Sequence, residues 1–302
     1  VELYESGDRV GGMAMTAAVA PAHRRLAELV SWLEDDARLH GVQVHLGHTV
    51  TAEELDRRVD AGHHIIIATG SAPGPATFIA DPAATVVDAA DVLAAIEAET
   101  EAETAAATDT GVEQPSEEIT PFDELLDGDE IAIWDPIGGS TGIAIAELIA
   151  ERRPRVSLVT PDAIAGTMLS LTGDLAGANV RLQQAGVTIV RRQRLRSVSV
   201  DGLDLVHVFT GASDHLPADV VVDASARQPK PGPEPATTPA AGPTETTSGG
   251  RTKTPTAIRI GDAVAPRTVA EAIREGRAAA LTIEAWPTAA PAGSGVGNGA
   301  RR

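Results

Sequence analysis

Val1-Glu2-Leu3-Tyr4-Glu5 is followed by Ser6-Gly7-Asp8-Arg9-Val10-Gly11-Gly12. The first five residues read as a short strand ending on an acid, and the next seven as a turn that closes on two glycines. A carboxylate at a strand end can accept hydrogen bonds from two ribose hydroxyls. Gly11 and Gly12 let backbone amides approach a ligand where any side chain would clash. Arg9 lies in the same turn and joins the candidate set. A second group is Gly138-Gly139-Ser140-Thr141-Gly142. Gly139 and Gly142 fit the second and third glycines of G-x-G-x-x-G, but Ile137 stands at the first, where the tight turn calls for glycine. Thr160 stands at the end of the next strand, where an acid would grip a ribose. The missing acid suits a 2′-phosphate, and suits equally a turn that takes no nicotinamide.

Other reactive side chains form no comparable pattern. His45 with His48, and His63 with His64, sit at strand or loop positions without nearby carboxylates, so no metal ligand set is assigned. Arg152, Arg153 and Arg155 could meet a phosphate, but a basic helix end complementing its dipole accounts for them. Arg191, Arg192, Arg194 and Arg196 read as a strand edge guarded by charge. No side chain offers itself as acid, base or nucleophile, so no catalytic residue is assigned and the chemistry falls to cofactors.

The elements that must position these residues follow from periodicity. Leu26, Leu29, Val30, Leu33 and Ala37 share one face of a helix over Ala22–His40, which Gly41 ends. Val42–Leu46 alternates as a strand. Thr51-Ala52-Glu53-Glu54 has the capping-box pattern. His64–Ile67 is a buried strand running into Ala68-Thr69-Gly70. A second unit starts near Asp129, with strand Ile131–Trp134, the glycine turn, a helix over Ile143–Arg152 and strand Arg155–Thr160, a βαβ unit of roughly thirty residues. Asn179–Ala185 reads as a helix, and Val187–Val190 and Asp219–Ala224 as strands. Ala257–Ile260 is a strand meeting Gly261-Asp262, followed by a helix over Thr268–Ala285.

Of the 302 residues, 2% are aromatic, and the net charge is −19. The shortage of aromatic stacking surfaces and the negative charge both argue against a nucleic-acid partner. Thirteen acids and no Lys or Arg lie between Glu97 and Glu130, which reads as a solvated acidic linker. The cysteine count of zero excludes disulfides and a thiolate-held zinc or iron–sulfur cluster within these residues. With no membrane-length apolar run and no leader pattern, the expected location is cytoplasmic.

Taken in order, several pieces resemble the C-terminal region of the 2,4-dienoyl-CoA reductase and trimethylamine dehydrogenase family, flavoproteins related to old yellow enzyme. They are Glu5–Gly12, Ile67–Gly70, Leu171-Thr172-Gly173-Asp174-Leu175, Ile260–Arg267, Glu271-Ala272 and Glu275-Gly276. The resemblance implies an α/β fold of two Rossmann-like three-layer domains, one inserted in the other. Residues 1–95 plus 251–286 would form the FAD domain, whose first strand and Gly-rich turn would precede Val1. Residues 96–126 would be an acidic linker, 127–228 the inserted NAD(P)-binding-like domain, 229–250 a Pro/Thr-rich linker and 287–302 a disordered tail. FAD, or only its ADP part, would be held by Glu5, Arg9, Gly11, Gly12, Ala68, Thr69, Gly70, Gly261 and Asp262, with Asp262 facing the ribityl and phosphate region. Without the preceding strand the chain would hold FAD weakly or not at all.

NAD(P)H would be held at Gly138, Gly139 and Gly142. FMN and an iron–sulfur cluster would lie in an N-terminal barrel, the implied partner, where enoyl thioesters or amines react. The function implied is to pass electrons between nicotinamide, FAD and that second redox centre. Two alternatives stand beside it. One is a structural, ADP-binding module without hydride transfer, and the other a stand-alone FAD-dependent reductase of a protein carrier.

Overall fold

The computed structural model describes residues 1–108, 120–233 and 257–284. Most of the expected Pro/Thr-rich linker, the whole tail and residues 109–119 of the acidic linker lie outside them. In chain order the first elements are β1 (Glu2–Tyr4), α1 (Met13–Ala17), α2 (Arg25–Leu39), β2 (Gln43–His45), α3 (Ala52–Asp60) and β3 (Ile65–Ile67). Then come β4 (Ser71–Pro73), β5 (Ile79–Ala80), β6 (Thr85–Asp88), α4 (Ala89–Thr108) and α5 (Phe122–Leu125). β7 (Glu130–Trp134), α6 (Ser140–Ala150), β8 (Arg155–Thr160), α7 (Leu175–Gln184) and β9 (Thr188–Arg191) follow. The remaining strands are β10 (Gln193–Ser199), β11 (Gly202–His207), β12 (Ser213–Pro217), β13 (Val220–Asp223), β14 (Arg227–Pro229) and β15 (Ala257–Arg259), before α8 (Val269–Glu284).

The chain divides into two compact units, Val1–Val50 with Gly70–Pro229, and Thr51–Thr69 with Lys230–Arg302. In the first unit a five-stranded parallel sheet has the order β6-β13-β7-β8-β9. Its strands are runs of β-branched residues because both faces are covered. One face packs α4, α6 and α7 through Val92, Ile133, Ile145, Ile149, Leu158 and Leu182, and the other packs Trp134, Val159 and Val221 against Leu195, Leu203 and Leu205.

Two features of this sheet differ from the expectation. It draws on the chain from residue 85 and not only from 127, because β6 pairs in register with β13, Val86 opposite Val221. Residues 96–108, expected as linker, continue α4, and Ile96 and Glu97 are buried on it. Apolar burial of one helix face outweighs the repulsion of its acids, some of which are ion-paired.

The second covering layer is the four-stranded sheet β12-β11-β10-β5, antiparallel except where β5 joins β10. The strand bearing Arg194 and Arg196 is therefore no edge, since β11 and β5 flank it. Its arginines alternate with buried Gln193, Leu195 and Val198, so they are the outward half of a strand with one face in the core. In the same unit β1 pairs in parallel with β2, and β4 with β14 antiparallel. In the second unit β15 pairs in parallel with β3, Arg259 opposite Ile67, and the Thr51 hydroxyl caps α3 by accepting from the Glu54 amide at 3.2 Å.

Candidate functional site: the glycine turns and the carboxylates beside them

Glu5 follows β1 directly. Its Oε1 accepts from the Gly7 amide at 2.8 Å and from the Ser6 hydroxyl at 3.2 Å, so half of the carboxylate already shapes its own turn. Gly11 has φ +106°, and a Cβ there would lie 2.7 Å from side-chain atoms of Met15 and Val30. Packing on α1 and α2 thus requires this glycine without any ligand. Gly12 precedes the first turn of α1. Arg9 is turned to α4, where it pairs with Glu97 at 2.6 Å and with Glu101. Burial pulls the guanidinium pKa down, but the two carboxylates outweigh it and hold Arg9 more firmly protonated than usual.

In the second unit Ala68 and Thr69 follow β3, and Gly261 and Asp262 follow its partner β15. The parallel ladder continues through the Ile260 amide to the Ile67 carbonyl at 3.0 Å, so the two corners start side by side. Glu275 on α8 accepts from the Gly261 amide at 2.7 Å and pairs with Arg267. Its carboxyl titrates below the usual range, first because of that amide bond. Asp262 accepts from the Arg267 amide at 3.1 Å, which folds the corner back toward α8. Gly70, the first residue of the other unit's second segment, has φ +78°.

Gly138, Gly139 and Gly142 are brought together at the N-terminus of α6, as the spacing requires. Asp135, which follows β7 directly, is the residue that sequence reasoning missed. It is 1% exposed, and its Oδ1 accepts from the amides of Gly138 at 2.9 Å and Ile137 at 3.2 Å. Its Oδ2 is buried without a hydrogen-bond partner. Burial is the main cause that lifts its pKa to about 6; the Gly138 and Ile137 amides oppose that rise and the nearby Asp162 charge adds to it. A Cβ on Gly142 would lie 2.7 Å from the Asp135 carboxyl carbon, so only glycine fits there. Gly138 has φ +67°, and a Cβ there would lie 2.9 Å from an Asp162 carboxylate oxygen.

At the end of β8, where an acid would grip a ribose, Thr160 stands, and Asp162 lies two residues further on. Thr160 is fully buried, and its hydroxyl accepts from the Asp162 amide at 3.3 Å. The arginines that could have met a 2′-phosphate are engaged elsewhere. Arg152 pairs with Glu99 at 2.5 Å and stacks on Phe122, Arg153 pairs with Asp123 at 2.8 Å, and Arg155 with Glu130 at 3.2 Å. A cofactor phosphate at this turn would therefore meet two carboxylates and no free cation from these three residues. The signal in the sequence was Trp134-Asp135-Pro136, an acid between a buried strand and a glycine turn, which is easily passed over as turn punctuation.

Among the described residues no group of three or more His, Asp or Glu could hold a metal ion, and no helix is long and apolar enough to cross a membrane.

No protein-family model matches the chain. Over 227 residues, 74% of the chain, it is 25% identical to a protein of Rhizobium meliloti (strain 1021) described as a probable N-methylproline demethylase, of which the match covers 29%. The fold superposes on that of histamine dehydrogenase from Rhizobium sp. 4-9 with a TM-score of 0.70 and 20% identity, covering 96% of this chain and 41% of that one. It also superposes on a 2-naphthoyl-CoA reductase with a TM-score of 0.64 and 18% identity, covering 91% of this chain and 35% of that one. The chain spans less than half the length of each. These matches bear out the resemblance to the dienoyl-CoA reductase and trimethylamine dehydrogenase family and a mixed α/β, Rossmann-like fold with parallel sheets.

Proposed function

We propose that this chain is the nucleotide-binding part of a flavin-dependent oxidoreductase, where it holds FAD, or the ADP part of FAD, next to a second redox centre elsewhere in the enzyme. The observation that most supports this reading is the pairing of β3 with β15, which brings two segments remote in sequence to end together on Thr69 and on Gly261-Asp262. Those two corners are among the pieces that carry the family resemblance. The relatives favour an enzyme that oxidises an amine or reduces an enoyl or aryl thioester, and the amine class is favoured because two of the three are named for amines.

When bound, FAD would accept two electrons from one partner and release them to another. The chain's own part is to bind and orient. Glu5 would offer its Oε2 to a ribose hydroxyl while Oε1 keeps the turn closed. Glu275 and Arg267 would keep the Gly261–Asp262 corner folded on α8, so that Asp262 is presented from a fixed backbone. Arg9 would act indirectly, by tying the turn after β1 to α4.

The test is a calorimetric titration of the chain with ADP and with FAD. ADP binding is expected to weaken at least about tenfold in Glu5→Gln, the scale of one hydrogen bond to a charged acceptor. Gly139→Asp should leave it unchanged. ADP binding indifferent to Glu5→Gln, or a chain that carries the preceding strand and Gly-rich turn and still binds neither nucleotide at millimolar concentration, would overturn the reading.

A further inference from the structure

The glycine turn before α6 has the outline of a dinucleotide-phosphate site, yet its chemistry is already satisfied from within. In such a site the turn's amides and the helix N-terminus face a diphosphate. Here the Ile137 and Gly138 amides point at the Asp135 carboxylate, at 3.2 and 2.9 Å. Gly142, the glycine that argues most for a nucleotide, makes room for that carboxylate. Gly138 makes room for the Asp162 carboxylate. Both glycines are thus accounted for without a ligand.

The position of these acids matters as much as their charge. In an open parallel sheet, ligands bind beyond the carboxyl ends of the strands, at the point where strand order reverses. In the order β6-β13-β7-β8-β9 that point lies between β7 and β13. Asp135 stands at the end of β7, Asp223 ends β13 and Asp88 ends β6, the last two paired in register. Asp162 completes the row just beyond β8. Of these four, Asp88 alone has a described cationic partner, Arg227 at 3.4 Å.

We infer that Asp135 acts as a built-in substitute for the cofactor diphosphate, closing the Gly138–Gly142 turn to dinucleotides, so that this Rossmann-like sheet takes no nicotinamide. The residue is then a specificity determinant: it decides that electrons do not enter from NAD(P)H at this site, and its replacement opens the turn. The inference is independent of whether FAD or ADP binds the chain.

NADP⁺ titration of the full chain tests it, with Gly139→Asp reporting which part of any binding belongs to this turn. The wild type and Gly139→Asp should bind NADP⁺ alike, because neither uses the turn. Asp135→Ala frees the Ile137 and Gly138 amides and removes the charge, and should bind NADP⁺ at least about tenfold more tightly, as removing one nearby like charge implies. The gain should vanish in Asp135→Ala/Gly139→Asp. Wild-type binding that Gly139→Asp removes would overturn the inference, as would a folded Asp135→Ala with no gain. If Asp135→Ala does not fold, Asp135→Ser, whose side chain is shorter and uncharged, is read in its place, with the same two outcomes.

Discussion

Replacing Gly142 with alanine separates a glycine kept for a ligand from one kept for a carboxylate. Two opposing terms set the sign. Gly142 lies in the first turn of α6, where alanine is favoured over glycine by up to about 1 kcal/mol. Against this, the new Cβ would lie 2.7 Å from the Asp135 carboxyl carbon and Oδ2. Asp135 is 1% exposed and has nowhere to retreat except off the Ile137 and Gly138 amides. Each hydrogen bond to a charged group is worth about 1.5–3 kcal/mol. Losing both bonds, less the alanine preference, gives a net cost of about 2–5 kcal/mol.

In an Asp135→Gly background the obstructing atoms are gone, and the same substitution should be neutral or stabilising by up to about 1 kcal/mol. Urea unfolding read from the fluorescence of Trp134, which is 2% exposed on β7, provides the assay once Trp32 and Trp286 are replaced by phenylalanine. A Gly142→Ala cost below about 0.5 kcal/mol, or the same cost in both backgrounds, would refute the reasoning: the glycine would then serve something other than Asp135.

Three further outcomes are expected. Because burial lifts Asp135 from 3.8 to about 6, the folded chain holds this proton more tightly than the unfolded one. The cost of ionising it sets in above about pH 4 and is nearly complete above about pH 6, so Asp135→Asn should gain about 2 kcal/mol relative to wild type between pH 4.5 and pH 7.5, measured by urea unfolding at each pH. Arg9→Ala strands the largely buried Glu97 and should lower stability by about 2 kcal/mol, discounted for the partial exposure of Arg9, with recovery in Arg9→Ala/Glu97→Leu by thermal melts. Phe122, fully buried beneath the Arg152 guanidinium, should cost about 3–5 kcal/mol as alanine in the same assay.

What could be read in advance was what local spacing controls. The α2 periodicity, the Thr51 cap, the β7–α6–β8 unit and the β15–α8 corner each announce themselves within about thirty residues, and each was legible. The partnership of β6 with β13 was not, because two parallel strands separated by the whole intervening unit leave no mutual mark on either sequence. The acidic run misled for a related reason: its charge was visible, but the apolar face of α4 that includes Val92, Leu93 and Ile96 becomes decisive only against the sheet. Arg194 and Arg196 signalled a strand correctly, yet neighbours, which decide whether it is an edge, come from Gly202–His207 and from Ile79-Ala80. Asp135 was hidden by its setting. An acid before Pro136 is ordinary turn composition, and only burial without a partner for Oδ2 distinguishes it.

The strand order β6-β13-β7 has a consequence for how the molecule is made. β6 and β7 leave the ribosome early, but the strand that joins them, Val220–Asp223, emerges only after α6, α7 and the whole β10–β12 meander. Until then each waits with an open ladder of amides and carbonyls, the kind of edge that recruits strands from other chains. The middle of this sheet therefore stays open until one four-residue strand, Val220–Asp223, arrives to close it.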